Sequence, residues 1–172
     1  EIGPALDELR QKGARSLVLD LRDNPGGEQG NIRMLLAKFA PAPMAPSFEE
    51  RTSAQWTTGF TFAHARGPLA DWNTVVLANQ YTAAESEVVA GVLKIWGFPV
   101  LGSRTRGDAG IVEQFDLADG GALRLTVKKY FLPDGTTPEG TGITPTIEAA
   151  DDPKTPNDEL VEKAAELLRR KL

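Results

Sequence analysis

The run TVVLANQYTAAESEVVAGVLKIWG, Thr74 to Gly97, sets the strongest limit on the fold, because a short apolar strand pattern turns within a few residues into a long apolar helix pattern. Val75, Val76 and Leu77 read as a buried strand, and Ala83 to Trp96 as a largely apolar helix closed by Gly97. A helix apolar on most of its surface must be enclosed, and a strand apolar at successive positions must be covered on both faces. The pattern therefore demands a sheet layered with helices. A second unit of the same kind precedes it: RSLVLDLR as a strand buried on both faces, the turn-rich loop DNPGGEQG, and a helix marked by Ile32, Leu35, Leu36 and Phe39.

The remaining elements fit around these two units. Pro4 to Lys12 predicts a short helix stopped by Gly13, and Ala40 to Pro46 is too proline-rich for a helix or central strand. Alternation around Gly59 predicts two strands, a short strand follows at Val100, and IVEQFDL with LRLTVKKYFL forms a hairpin around ADGG. A polar loop then runs to about Pro156, and Leu160, Val161, Ala164, Leu167 and Leu168 form the inner stripe of a last helix. The expected fold class is α/β, a mixed β-sheet core with flanking helices. At 172 residues, 41% hydrophobic and 25% charged, the chain suits one globular domain. Chemistry is expected at the two strand-to-helix junctions, Asp23 to Gly30 and Gln80 to Glu87, because sites in open α/β sheets gather beyond the carboxyl ends of strands.

Composition removes several function classes. With a net charge of −5 and no basic run beyond Arg169, Arg170 and Lys171, nucleic acid is not an expected partner. The absence of cysteine excludes disulfides, thiolate catalysis and Cys-ligated zinc, and the single His64 excludes a His-rich metal site; no metal or cofactor is expected. No apolar run is long enough to span a bilayer.

Within the first junction, Gly26 and Gly27 of DNPGG can present backbone N–H groups without a Cβ in the way. That suits an oxyanion hole, a phosphate cradle or a simple Pro-Gly turn. The G-x-G-x-x-G and P-loop patterns are both absent, which argues against nucleotide. In the second junction, Thr82 and Glu85 have the S/T-x-x-E spacing of a capping box. If Thr82 is the cap, Ala84 stands at the second helical position, where developing negative charge would be stabilised and where a serine would make chemical sense. Ser86 lies about 200° further round a regular helix, so its hydroxyl is expected to face away and to bond within the first turns. His64 reads as structural or solvent-facing, and Asp20, Asp23, Asp151 and Asp152 as strand-end, turn and surface carboxylates. Lys128 and Lys129 alternate across a strand and are expected to reach water.

With these residues in view, the chain resembles the C-terminal processing, or tail-specific, serine protease family. LVLDLRDNPGG matches a LILDLRNNPGG-like strand and turn, and VLANQYTAAESEVVAGVL matches VLVNxxSASASEIxAGAL. GSRTRGDAGIVEQFDLADGGALRLTVKKYFLPDGTTPEGTGITPTIE, Gly102 to Glu148, mirrors GxxTxGKGxVQxxxxLxDGsxLkLTxxxYxxPxGxxxxGxGIxPDIE.

The resemblance implies a ββα-type protease core of the crotonase and Clp-like superfold, and a serine nucleophile with a lysine base oriented by a glutamine. Carried over position by position, the nucleophile falls on Ala84, the lysine on Asp108 and the glutamine on Val112. The oxyanion-hole donors fall on the backbone N–H groups of Gly26 or Gly27 and of Glu85. Residues 1–172 are then expected to be one protease-core domain of a longer chain, lacking its N-terminal strands and without a PDZ module. The implied partners are protein or peptide C-termini, with an upstream PDZ or N-terminal segment and an oligomer as further expectations. The implied location is extracytoplasmic or periplasmic. With all three reactive positions altered, the expected state is a core that cleaves or binds C-termini by descent but is catalytically inactive. The alternative is an active serine endopeptidase whose nucleophile has been changed to Ala84, or one that takes its base from an N-terminal segment.

Overall fold

The computed structural model describes residues 2–42, 49–52, 66–152 and 154–170; His64, Gly59 and most of the segment expected to form strands around it lie outside them, as does the greater part of the proline-rich stretch. In chain order the elements are α1 (Ile2–Gln11), β1 (Ser16–Asp20), α2 (Gln29–Phe39), β2 (Glu49–Thr52), β3 (Asn73–Ala78) and α3 (Glu85–Ile95). They continue with β4 (Val100–Gly102), β5 (Gly110–Asp116), β6 (Ala122–Phe131), β7 (Ile147–Glu148) and α4 (Glu159–Arg169).

Parallel and antiparallel strands are sorted into two sheets. A parallel sheet runs β1-β3-β4-β7, and an antiparallel sheet runs β2-β6-β5. The alternation of β3 explains the layering. Val76 and Ala78 face a core shared with Leu36 and Phe39 of α2 and Val88 and Val92 of α3. Val75 and Leu77 face the opposite way, onto Leu160, Ala164 and Leu168 of α4. A helix therefore covers each face of the sheet, which is why β3 reads as a continuous apolar run.

Two expectations change. Among the described residues β1 is an edge strand, packed on both faces but not fully buried on them: Leu19 is buried and Leu17 half-buried against the α2 and α3 core, Val18 is half-buried against the α4 cluster, and Asp20 is exposed. The segment expected to be polar loop contains β7, which extends the parallel sheet through Leu101 beside Ile147 and Gly102 beside Glu148. Two residues carry no periodicity, so only the neighbouring strand reveals them.

Arg22, just past β1, ties this end of the sheet to α4. Its guanidinium grips Asp20 (Nη2 to Oδ2, 2.6 Å) and Asp158 (Nη1 to Oδ1, 3.0 Å; Nη2 to Oδ2, 2.6 Å). Asp158 is also the N-cap of α4, its side chain accepting from Val161 N–H at 3.0 Å. The bond from Arg22 holds the Asp158 carboxyl below the usual carboxylate range, against the opposing effect of desolvation. Because the pair is partly exposed, Arg22→Ala is expected to cost about 1–2 kcal/mol. A depressed carboxylate stabilises the fold above its unfolded-state pKa and loses that contribution as pH falls through the folded-state value. The stability gap between wild type and Arg22→Ala, measured by urea unfolding, should therefore narrow as pH falls below about 4; a gap that is constant with pH contradicts this assignment.

Candidate active site

The two strand-to-helix loops are laced together. Asn79, just beyond β3, accepts from the N–H groups of Asp23 (3.1 Å) and Tyr81 (3.0 Å), and its Nδ2 donates to Asp23 Oδ1 at 3.1 Å. Ala83 N–H donates to Asn24 O at 3.0 Å. Thr82 is buried; its hydroxyl donates to Leu21 O at 2.8 Å and accepts from Asn79 N–H at 3.0 Å. The expected capping box is therefore absent: Thr82 faces the neighbouring loop, and the N-cap of α3 is Ala84, which has no side-chain cap.

Ala84 takes φ 49° and ψ −124°. A positive φ in a residue with a Cβ costs roughly 1–3 kcal/mol and persists only where the surroundings impose it. Here the surroundings are explicit. Ala84 N–H donates to Asp108 O at 2.8 Å, and the loop carrying Asp108 is gripped by Glu87. Glu87 is fully buried; its Oε1 accepts from the Thr105 hydroxyl and from Gly107 N–H (2.7 Å), and its Oε2 from Asp108 N–H (2.8 Å). This role of Glu87 was not foreseen, although a carboxylate inside an otherwise apolar helix pattern signals a buried, paired charge.

The glycine turn meets the helix at the same point. Gly26 has φ 104°, and a Cβ placed on it would lie 2.8 Å from Ala84 Cβ and 3.1 Å from Glu85 N, so only glycine permits this approach. Gly26 N–H donates to Asn24 Oδ1 at 3.0 Å, and Gly27 N–H to Glu85 Oε2 at 3.1 Å. Glu85 opens α3, so its own N–H has no intrahelical acceptor. Beneath the turn, Gly26, Gly27, Glu85 and Ser86 line a hollow of about 240 Å³ with apolar Ile32 and Val89. A larger hollow of about 1010 Å³, lined by Pro4, Met34 and Pro68, shares Asn31 and Leu35 with this one but is lined by neither Gly26 nor Gly27, so size does not select the site.

Gly26, Gly27, Ala84 and Glu85 are thus brought together, and Asp108 joins them through its backbone. The Asp108 side chain turns outward, 66% exposed, with Arg106 Nε 3.9 Å from its Oδ2. Val112 sits in β5 opposite Thr126 and is 45% exposed. Ser86 departs from expectation. Its residue is 6% exposed, it lines the same hollow as the two glycines, and its hydroxyl makes no hydrogen bond among the described residues. Chemically, the arrangement offers the Glu85 N–H and a helix N-terminus to negative charge, beside the methyl group of Ala84.

The chain is similar to known proteins in sequence and in fold. A sequence profile of Peptidase family S41 matches residues 1–149. The carboxyl-terminal-processing protease of Picosynechococcus sp. is 37% identical over 136 residues, covering 77% of this chain and 31% of that protein. A carboxy-terminal processing protease of Bacillus subtilis is 29% identical over 149 residues, covering 86% of this chain and 30% of that protein. Among solved structures, the photosystem II D1 C-terminal processing protease superposes with a TM-score of 0.77 at 28% identity, covering 96% of this chain and 42% of that one. The chain spans about a third of the length of the curated relatives it matches.

Proposed function

The chain belongs to peptidase family S41, and from that premise we propose that residues 1–172 act as one protease-core domain that holds protein C-termini without hydrolysing them. The observation that carries this is Ala84. It stands on a strained strand-to-helix turn, against Gly26 and at the start of α3, with a methyl group as its whole side chain. The matched relatives carry C-terminal processing in their names, which makes protein C-termini the substrate class by descent. Asp108, at the position the family resemblance gives to a lysine base, offers an exposed carboxylate that cannot act as an unprotonated amine does. A general base contributes roughly 10²–10⁴-fold, so its loss compounds that of the nucleophile.

The binding half of the proposal rests on what these losses leave intact. Gly27 N–H and Glu85 N–H need no particular side chain, and the apolar hollow beneath them has room for one aliphatic side chain of a peptide. In a test, a fluorescent peptide with an aliphatic C-terminus is titrated by anisotropy and then followed by mass spectrometry. Saturable binding with the peptide intact is expected. Cleavage, or fluorophosphonate labelling of Ser86, contradicts the proposal.

A further inference from the structure

The donor that would receive a ligand is already engaged by the chain itself. Gly27 N–H donates to Glu85 Oε2 at 3.1 Å, and the Tyr130 hydroxyl donates to the other oxygen, Oε1, at 3.1 Å. Tyr130 is fully buried and comes from β6 of the second sheet, so it is a fixed donor rather than a passing surface contact. The carboxylate lies hard against the turn, since a Cβ on Gly26 would stand 2.5 Å from Glu85 Oε2. A carboxylate held by one N–H and one O–H at the start of a helix is the arrangement that recognises an anion, with a side chain in the ligand's place.

An independent feature marks the same spot as a binding site. Ser86 is 6% exposed, lines the hollow beside Gly26 and Gly27, and its hydroxyl has no hydrogen-bond partner among the described residues. A hydroxyl on a residue this enclosed, open to the hollow and without a partner in the chain, borders the space a ligand entering beside Gly27 would occupy.

We infer that Glu85 is a built-in competitor for this cradle, and that the ligand it stands in for is the terminal α-carboxylate of a peptide whose last side chain enters the apolar hollow. The inference rests on the C-terminus-binding function proposed above. Two carboxylates cannot share the single Gly27 N–H, so binding requires Glu85 to swing out. The apparent affinity is then reduced by the fraction of molecules in which it has done so. Removing the carboxylate removes that competition, and the gain falls on ligands that bring a carboxylate of their own.

The test uses two peptides of one sequence ending in Leu, one with a free α-carboxylate and one amidated, titrated against wild type, Glu85→Ala and Glu85→Gln, with the Gly27 amide followed by ¹H–¹⁵N NMR. Glu85→Gln keeps the size of the side chain and guards against a folding loss in Glu85→Ala. The Gly27 amide resonance is expected to move in Glu85→Ala. The free-acid peptide should bind about tenfold or more tightly to Glu85→Ala than to wild type, the amide should change by less than about twofold, and Glu85→Gln should fall between. An unmoved Gly27 resonance overturns the self-occupation even if peptides bind. Equal gains for acid and amide overturn the assignment of the ligand as a carboxylate. A Gly27 resonance that moves while neither peptide binds any form of the protein overturns the proposed function, and the assigned ligand with it.

Discussion

Glu87→Ala is expected to destabilise the protein by about 3–5 kcal/mol, the largest effect of any single side chain at the site. The carboxylate is fully buried and accepts from three donors, the Thr105 hydroxyl and the N–H groups of Gly107 and Asp108. Truncation strands all three, and an unsatisfied buried donor costs roughly 1–3 kcal/mol, less where the loop can open to water. Thr105 is the least able to do so, because its hydroxyl oxygen also accepts from Ile143 N–H at 2.6 Å. Glu87→Gln should cost less, roughly 1–3 kcal/mol, since its amide oxygen can still accept while its NH₂ group opposes a backbone donor. Because Asp108 O accepts from Ala84 N–H, loosening this loop also releases the turn at residue 84. Urea unfolding measures the first effect, and amide exchange at Gly107, Asp108 and Ala84 the second. A loss below about 1 kcal/mol for Glu87→Ala would show that the buried carboxylate does not hold the loop.

Gly102→Ala is expected to cost about 3–5 kcal/mol by a different route, backbone strain joined to overpacking. Gly102 closes β4 at φ 134°, and a Cβ there would lie 2.0 Å from Ala78 O. That oxygen accepts from Ser103 N–H at 3.1 Å, and Gly102 O accepts from Ala149 N–H at 2.9 Å, so neither strand can retreat without breaking the ladder around β4. The expected sign is a large drop in the urea midpoint with little change in slope, the signature of lost stability rather than of an altered unfolded state. An unchanged midpoint would mean that the backbone at Gly102 is free to adjust.

The layering was legible because β3 and α3 are apolar at the right period, and their burial follows from enclosure alone. The start of α3 was not. The spacing of Thr82 and Glu85 satisfies a local capping rule, yet Thr82 bonds to Leu21 O and Asn79 N–H, and Glu85 to Gly27 and Tyr130. These partners lie far along the chain, and spacing within six residues carries no information about them. The expectation that Ser86 bonds within the first turns failed for a related reason. It assumed a regular helix from Ala84 onward, whereas Ala84 at φ 49° is not helical, so counting 100° per residue from it has no physical basis. The meeting of Gly26 and Gly27 with Ala84 and Glu85 followed from the two junctions lying on adjacent parallel strands, β1 and β3.

The most direct measurement is Ala84→Ser incubated with a C-terminally free peptide and with a fluorophosphonate probe, alongside wild type and Ala84→Gly. With Asp108 at the position of the base and its side chain turned to solvent, the restored hydroxyl is expected to remain unactivated: intact peptide, and no labelling of Ser at residue 84 above the Ala84→Gly background. Rapid labelling of Ala84→Ser with peptide cleavage that Ala84→Gly lacks would contradict the central claim, because the site would then need only one oxygen to be an enzyme.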